Sequence, residues 1–364
     1  MDAKLFYRQT SKLSGSVLFG VLTISLSVVA MALDWNAGRS LMQLQSLTLP
    51  FWISALATAA VGFWAVPLLR SLKAGQSIRE DGPKSHLKKA GTPTMGGIFF
   101  IPVAVLIALV WTGFAPQVVA VSALTLAYSA IGWLDDWQII RRRSNKGISP
   151  RLKLLLQVAA GGLFCLWAAT TQPFHLTQLA LPFGVMLPLG FLFFPLGWFA
   201  LVAESNATNL TDGLDGLAAG TVAIALLGLG ALVAPQSPDL MLFCGALSGS
   251  CLGFLVHNRN PAQVFMGDTG SLALGGALAA VALLTHSLLA LLILGGVFFV
   301  ETLSVIIQVT YFKATKGPDG VGKRFFKMSP YHNHLELSGW SETQIVAIFY
   351  LATALLAFLA LSIF

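Results

Sequence analysis

Charged side chains are scarce in this sequence: Asp, Glu, Lys and Arg make up 10% of its 364 residues, whereas 56% of the residues are apolar. A water-soluble domain typically carries about 25% charged residues, because water must solvate its surface. The shortage excludes an ordinary soluble globular protein and predicts that most of the surface lies against lipid. Because the apolar runs recur along the whole chain, we expect a membrane protein rather than a secreted protein with a signal peptide.

Cysteine is also rare, and its three residues, Cys165, Cys244 and Cys251, all lie inside apolar runs. They lack the Cys-x-x-Cys spacing, which argues against a disulfide framework or a thiolate metal site. We interpret them as small packing residues. The formal net charge of +7 comes from Lys and Arg in the loops between apolar runs. That distribution suits anionic headgroups and phosphates, so we expect membrane-lipid contacts and no nucleic-acid partner.

Eleven apolar runs approach the roughly 20 residues that a helix needs to cross a bilayer. They are 14–33, 49–69, 95–111, 118–133, 154–169, 187–203, 217–233, 240–256, 272–284, 288–309 and 345–364. The ninth run is short and reaches spanning length only by including polar residues toward Gly267 or His286. Alternating apolar residues near 170–186 predict a small hairpin between two spans.

The positions of the cations predict the orientation of these spans. If the N-terminus lies in the cytoplasm and the spans alternate, every one of the 22 Lys and Arg residues except Arg39 falls on the inside or at its boundary. Cationic loops resist translocation, so this orientation is strongly preferred over its inverse. It gives inner loops at about 70–94, 134–153, 204–216, 257–271 and 310–344, within a single membrane domain, 1–364.

Three Asp residues in two inner motifs are candidates for a metal site. Asp135 and Asp136 closely follow the fourth run, and Asp268 lies between glycines just before the ninth. Carboxylates at the ends of apolar helices are costly unless they are paired or metal-bound. Mg²⁺ takes one or two carboxylates plus substrate phosphates, so all three are candidate ligands. For any one of them, a helix cap or an interfacial salt bridge is an open alternative.

Amide and carboxylate side chains recur at every third position through Asn206, Asn209, Asp212 and Asp215. At helical pitch they would form a gently drifting stripe on one side of a helix. Asn and Asp can bond to a base edge or a ribose hydroxyl, so the stripe predicts nucleoside binding. Asn206 and Asn209 also match the glycosylation acceptor pattern, but the predicted topology places them inside.

Three lysines of the first inner loop, Lys84, Lys88 and Lys89, could neutralise phosphates. For Lys84 and Lys88 the ordinary positive-inside signal is the preferred explanation. Lys89 stands beside a Gly-Thr-Pro turn that returns the chain to the membrane, and it is the better candidate for phosphate binding.

The last inner loop contains the pattern His332-x-His334-x-Glu336. This pattern predicts phosphate binding or proton transfer on the same side as the Asp residues, with a zinc site as the alternative. Glu301 and Gln308, in the tenth run, either line the site or pair inside the bundle.

Five blocks of the sequence, in this order, resemble the phospho-N-acetylmuramoyl-pentapeptide transferases, the MraY family of the polyprenyl-phosphate N-acetylhexosamine-1-phosphate transferase superfamily. The blocks are 81–97, 134–136, 206–216, 265–271 and 330–336. The resemblance extends from about residue 49 to the C-terminus, so 49–364 is the expected transferase core. The run 14–33 is then an additional N-terminal helix.

The resemblance implies an all-α polytopic fold, with about 10 to 11 transmembrane helices around a cytoplasmic-side cleft in the bacterial inner membrane, usually as a homodimer. It implies transfer of phospho-MurNAc-pentapeptide from UDP-MurNAc-pentapeptide to undecaprenyl phosphate, with Mg²⁺. The products are lipid I and UMP, in the first membrane step of peptidoglycan synthesis.

The resemblance also implies roles for individual residues. Asp268 would ligate the metal, Asp135 and Asp136 would serve the acceptor phosphate and catalysis, and His332 and His334 would complete the catalytic site. The uridine diphosphate would be surrounded by Lys89, Asn209, Asp212, Asp215, Asn258 and Phe265, and Asn206 and Gln308 complete the candidate substrate-binding set. Where the family commonly has three consecutive histidines, the middle residue here is Asn333.

Two rival functions and two chemical routes remain open at the level of sequence. A related transferase would use UDP-N-acetylglucosamine, although the 91–97 and 331–336 blocks favour the muramoyl enzyme. An ion-coupled transporter would place its acids near mid-bilayer, whereas these cluster at one face. For the transferase, we expect direct attack by the lipid phosphate, with Asp135 as base or positioning group, and a covalent intermediate on Asp is the competing route.

Overall fold

Helices form most of the part of the chain that the structure describes. The structure, a computed structural model, describes residues 13–40, 43–72, 89, 91–142 and 146–364, without the side chains of 174 and 175. Within these ranges the helices are α1 (Gly15–Asn36), α2 (Thr48–Ser71), α3 (Gly97–Trp111), α4 (Pro116–Arg142), α5 (Pro150–Thr171), α6 (Phe193–Thr211), α7 (Leu217–Val233), α8 (Pro238–Asn258), α9 (Gly267–Leu284), α10 (Leu288–Leu294), α11 (Gly296–Ala314), α12 (Tyr331–Leu337) and α13 (Glu342–Ile363). Strands β1 (Gln178–Ala180) and β2 (Met186–Pro188) form an antiparallel hairpin between α5 and α6.

Eight of the helices in the described ranges are long and apolar enough to cross a membrane, and α3 and α7 are shorter apolar helices. The chain is therefore a polytopic, mostly helical membrane protein, and the predicted fold class is confirmed. The hairpin expected near 170–186 is also present, slightly later in the sequence.

Two predicted spans depart from a single continuous helix. The sixth, 187–203, begins as an α-helix only at Phe193, because 186–188 pair in the hairpin and Gly190–Leu192 form a short 3-10 helix. The tenth, 288–309, is divided at Gly295 into α10 and α11. Glycine costs roughly 1 kcal/mol in a helix interior relative to alanine, which makes this position a favourable one for the break.

Helices α8 and α9 form the centre of the bundle. Helices α4 and α6 both pack along α9, and helices α2 and α7 both pack along α8. Small residues allow the closest approaches, as is common between membrane helices. At Gly132 of α4, an added Cβ would overlap with the carbonyl oxygen of Asp268. This contact brings the carboxyl-terminal end of α4 directly against the start of α9.

Helix α1 connects the two ends of the bundle. Gly15, at its start, lies against the backbone of Asn260 in the α8–α9 loop. A helix of 22 residues extends about 33 Å, so its far end lies at the other side of the bundle. There Asp34 pairs with Arg39 at 2.8 Å and accepts a hydrogen bond from the Leu47 N–H at 2.9 Å, at the start of α2. Arg39 is thus remote from the α8–α9 loop, in agreement with the predicted topology.

Candidate active site

The carboxylate of Asp136 holds the amino-terminal end of α9. Its Oδ1 accepts the Asp268 N–H at 3.2 Å, and its Oδ2 accepts the N–H and hydroxyl of Thr269 at 3.0 and 2.6 Å. The first N–H groups of a helix have no partner within the helix, so a buried helix start requires such an acceptor. Asp136 is itself buried. The contact fixes Asp268 relative to the end of α4.

Asp268 is the centre of a cluster of charged and amide groups. Lys153, on the first turn of α5, donates to its Oδ2, and Asn209, near the end of α6, donates to its Oδ1 at 2.7 Å. The carboxyl group of Asp135 lies 4.0 Å from the same Lys153 ammonium. Asp135 also accepts the Ile148 N–H at 2.9 Å. Four separate segments therefore meet at two carboxylates. We call Asp135, Lys153, Asn209 and Asp268 together the Asp268 cluster.

A second cluster surrounds Lys89. Its ammonium donates to Asp215 Oδ1 at 2.7 Å and to Oε1 of Glu342, the first residue of α13. The Asn260 amide bridges the same two acids, at 3.1 Å from Asp215 Oδ2 and 3.0 Å from Glu342 Oε2. Burial by itself lowers the pKa of Lys89, but Glu342 and Asp215 outweigh it and raise that pKa above its usual value. Lys89 therefore remains a cation. Lys89, Asp215, Asn260 and Glu342 form the Lys89 cluster.

Asp212 links the two clusters electrostatically. Desolvation raises the pKa of its carboxyl group well above the usual value, and the charges of Asp268, Asp136 and Asp215 raise it further, whereas Lys89 opposes them. Like charges at close range disfavour ionisation. The two clusters are thus parts of one coupled site, in which anionic oxygens outnumber the described cations.

The stripe predicted along 206–215 is only partly helical. Asn206 and Asn209 lie on α6, but this helix ends at Thr211, so Asp212 and Asp215 lie in the α6–α7 loop. The prediction of one continuous helical face is wrong because Gly213 lies within the segment and Gly216 follows it. Gly216 has a φ of +79°, which favours glycine, and it ends the loop. Asn206 donates to Gln157 of α5 at 3.1 Å rather than to the Asp268 cluster.

Asn258 and Phe265 connect the loops around the Lys89 cluster. The Asn258 side chain is buried, accepts the Gly216 N–H at 3.0 Å and donates to the Val264 carbonyl at 2.8 Å. The Phe265 N–H donates to the Pro93 carbonyl at 2.8 Å, while its ring remains partly exposed. Asn258 therefore shapes the loops through its amide, and Phe265 as a residue is partly exposed.

The two candidate histidines have different surroundings. His332 is buried, and its Nδ1 lies 3.2 Å from Oε2 of the fully buried Glu301. The edge of its ring lies against Gly213, where a Cβ would overlap with Nε2. His332 therefore contacts the same loop as Asp212. His334 instead accepts the Lys327 N–H at 3.1 Å and stacks on Tyr331, so it organises the last inner loop.

Gln308 and Asn333 also serve the last inner loop. The Gln308 Oε1 accepts the N–H groups of Phe325 and Phe326 at 3.1 and 2.8 Å. This bonding corresponds to the second of the two possibilities for Gln308, pairing within the protein. Asn333 is buried beside His332.

The carboxylates suit a hard divalent cation, although no three-ligand site is preformed. Among the described residues, no three His, Cys, Asp or Glu side chains converge as metal ligands. Asp135 and Asp268, however, place two carboxylates against the same Lys153 ammonium. Mg²⁺ commonly takes one or two carboxylates with the rest of its shell from water and phosphate. His332 and His334 do not face a common point, so the described geometry does not support the zinc alternative.

Three residues of the site were not identified from the sequence: Lys153, Asn260 and Glu342. Lys153 is one of the many inner cations, and Glu342 follows the N-cap Ser341 in a capping-box sequence, so each has a local explanation. Their partners, Asp268 and Lys89, are 115 and 253 residues away, and no local pattern indicates such pairs. Lys84 and Lys88 lie outside the described residues.

Comparison with known proteins gives one consistent result. The family pattern described as "Glycosyl transferase family 4" matches residues 118–286, and "Phospho-N-acetylmuramoyl-pentapeptide-transferase signature 1" matches 89–101. The chain is 66% identical over 363 residues to a phospho-N-acetylmuramoyl-pentapeptide-transferase of Nostoc punctiforme, covering 100% of both chains. It is 62% identical to that of Gloeothece citriformis, covering 99% of both chains, and 58% identical to that of Synechococcus elongatus, covering 95% of both.

Proposed function

The chain belongs to the phospho-N-acetylmuramoyl-pentapeptide-transferase (MraY) family, and we infer that it transfers phospho-MurNAc-pentapeptide from UDP-MurNAc-pentapeptide to undecaprenyl phosphate. The products are lipid I and UMP, and the reaction belongs to peptidoglycan synthesis. The observation that carries this assignment is the identity of 66% over the full length of a curated transferase. The assembly of Asp268, Lys153 and Lys89 at one end of the bundle supports it, because a diphosphate needs cations and metal-binding oxygens together.

The two clusters bind different parts of the substrates in this proposal. The Lys89 cluster takes the uridine end of the donor. The ring of Phe265, which follows Asn260 closely in the sequence, contributes to the same binding site. The Asp268 cluster takes the phosphates that react. Lys153 neutralises charge on the phosphate oxygens, since its ammonium already lies against Asp268. Asn209 holds the Asp268 carboxylate in place through its 2.7 Å hydrogen bond.

We assign the metal position to Asp268 and Asp135. Bound there, Mg²⁺ would neutralise charge on the diphosphate, as in other phosphoryl transfers. Both oxygens of Asp136 accept groups at the start of α9, so its role in this proposal is to position Asp268. Metal ligation by Asp136 remains a prediction from the sequence.

An oxygen of the lipid phosphate attacks the sugar-linked phosphorus directly. The bond from that phosphorus to the bridging oxygen of the diphosphate breaks, and UMP leaves with that oxygen. A phosphate monoester has a second pKa near 6, so the acceptor is largely dianionic at neutral pH and needs no strong base. Asp135 would orient it with a cation, Lys153 or the metal, between the two anions, because the Ile148 N–H and the Lys153 ammonium define the direction of that carboxylate. His332 is held by Glu301, and its ring supports the Asp212 loop through its contact with Gly213.

The site faces the cytoplasm, and two chains form a homodimer. The cation distribution supports the orientation, since Arg39 alone falls at the outer end. The dimer rests on the resemblance to the family. In this proposal the single transmembrane domain is 1–364, with 49–364 as the catalytic core.

A turnover assay tests the function. Purified protein is incubated with UDP-MurNAc-pentapeptide, undecaprenyl phosphate and Mg²⁺, and UMP and lipid I are measured. We expect both products in equal amounts, none with EDTA, and no turnover when UDP-N-acetylglucosamine replaces the donor. Efficient use of UDP-N-acetylglucosamine alone would assign the chain to the related transferases. UMP exchange without the lipid acceptor would overturn the direct route.

A further inference from the structure

The inner end of α1 lies directly behind the Lys89 cluster, although α1 carries none of the motif residues. The guanidinium carbon of Arg259 stands 5.2 Å from the centre of the Phe19 ring, within the range of a cation–π interaction. One turn earlier, Gly15 lies so close to Asn260 that an added Cβ would overlap with its carbonyl oxygen. Phe19 and Arg259 are both partly buried.

Arg259 and Asn260 belong to the segment that closes the Lys89 cluster. The Asn260 amide is the bridge between Asp215 and Glu342. Two residues later, the Ala262 N–H donates to Asp215 Oδ2 at 3.0 Å. Any displacement of this segment therefore moves three hydrogen bonds that hold the carboxylates facing Lys89.

A small cavity of about 10 Å³ lies between α1 and this cluster. Its walls include Leu18 and Phe19 of α1, Asp215 and Asn260 of the cluster, and Tyr350 of α13. The Tyr350 hydroxyl donates to the Gly216 carbonyl at 2.7 Å. On the side of α1, the segment 259–262 is held by the close contact of Gly15 with Asn260 and by the contact of Phe19 with Arg259.

Helix α1 is anchored at its other end as well. Asp34 accepts hydrogen bonds from Ser46 at 2.6 Å and from the N–H groups of Leu47 and Thr48 at 2.9 Å each. These bonds join the end of α1 to the start of α2, which packs along the central helix α8. The position of Phe19 is therefore determined by the bundle. Through its contact with the guanidinium group, the Phe19 ring can hold Arg259 in place.

We propose that Phe19 and Arg259 are positioning residues for the donor nucleotide: α1 holds the segment 259–262, and with it Asn260, against Asp215 and Glu342. The inference rests on the proposed function, in which the Lys89 cluster binds the uridine end of the donor. It gives α1 a specific role in donor affinity and none in the chemistry at Asp268.

Steady-state kinetics on the purified full-length protein test this role. Phe19→Ala should raise the KM for UDP-MurNAc-pentapeptide roughly 3- to 10-fold, the range expected for a partly desolvated cation–π contact. The kcat and the KM for undecaprenyl phosphate should stay within twofold of the wild type. Phe19→Tyr, which keeps the ring, should restore the donor KM, and Arg259→Gln should match Phe19→Ala. Ile24→Ala, at an exposed position on the same helix, is the control and should change nothing.

UMP binding, measured by calorimetry, gives a second readout that needs no turnover. Phe19→Ala and Arg259→Gln should weaken UMP binding by the same factor as the donor KM. Unchanged KM and UMP affinity in both variants would overturn the proposal. Equal losses for both substrates, with a lowered melting temperature, would also overturn it, because they would indicate a general packing role. If the wild-type protein neither turns over nor binds UMP, the proposed function itself fails.

Discussion

At the scale of single side chains, acids and bases alternate across the inner end of the bundle. Lys153 lies between Asp268 and Asp135, and Lys89 lies between Asp215 and Glu342. Each lysine therefore compensates two carboxylates that would otherwise repel each other. Such an arrangement can accept phosphate oxygens at the lysines and a divalent cation at the acids.

Asp268→Asn tests the centre of the site. The substitution keeps the shape and an oxygen acceptor for Asn209 but removes the charge that faces Lys153 and the proposed metal. We expect the rate of UMP release to fall on the order of 10²- to 10³-fold, with an unchanged melting temperature. Asp319→Asn, in an exposed loop, is the matched control and should retain wild-type turnover. Comparable activity of the two variants would remove Asp268 from the mechanism.

Asp212→Asn tests the electrostatic coupling through the pH dependence of stability. The pKa of Asp212 is raised in the folded protein by burial and by the neighbouring carboxylates, so the folded state binds this proton more tightly than the unfolded chain. Unfolding releases the proton between about pH 4, the unfolded value, and the raised folded value, so stability falls as the pH rises through this window. Asn cannot ionise, so Asp212→Asn should flatten this decline and raise the melting temperature at neutral pH. If the melting temperatures of the two proteins changed with pH in the same way between pH 4 and 8, the result would contradict the assignment.

At the scale of secondary structure, the start of α9 depends on an acceptor from another helix. Asp136, on α4, supplies that acceptor, and Gly132 one turn earlier allows the two backbones to meet. The carboxylate thus joins the two helices that carry Asp135 and Asp268. Asp136 therefore affects the site by fixing the relative positions of α4 and α9 as well as through its charge.

Asp136→Ala should therefore destabilise the fold in addition to reducing activity. It leaves the N–H groups of Asp268 and Thr269 without their acceptor in a buried position, which costs about 1–3 kcal/mol. Asp136→Asn keeps one acceptor oxygen and should lose less. Thermal unfolding of the purified variants measures the difference. An unchanged melting temperature in Asp136→Ala would show that the carboxylate does not support α9.

Most of the helices follow from apolar run length, because each crossing needs a similar number of apolar residues; α7, at Leu217–Val233, coincides with its predicted run. The exceptions have non-local causes. Helix α9 begins earlier than its apolar run, at Gly267, because Asp136 stabilises its polar first turn. Glu342 joins the site because α13 starts beside Lys89, a pairing that depends on the assembled bundle.

At the scale of the whole molecule, polar chemistry is concentrated at one end of a lipid-facing bundle. The clusters of Asp268 and Lys89 share the end at which α1 begins, whereas Asp34 and Arg39 occupy the far end of that helix. A water-soluble nucleotide and a lipid phosphate can meet only where such a polar site borders the membrane surface. The account therefore depends on which compartment this end faces.

Turnover in sealed vesicles of opposite orientation measures this most directly. UDP-MurNAc-pentapeptide does not cross a bilayer unaided, so only a site on the outer surface of a vesicle can use the donor added outside. The account predicts UMP release from inverted inner-membrane vesicles, whose cytoplasmic face is outward, and none from right-side-out vesicles until detergent opens them. Turnover by sealed right-side-out vesicles alone would place the Asp268 cluster on the opposite face and contradict the account.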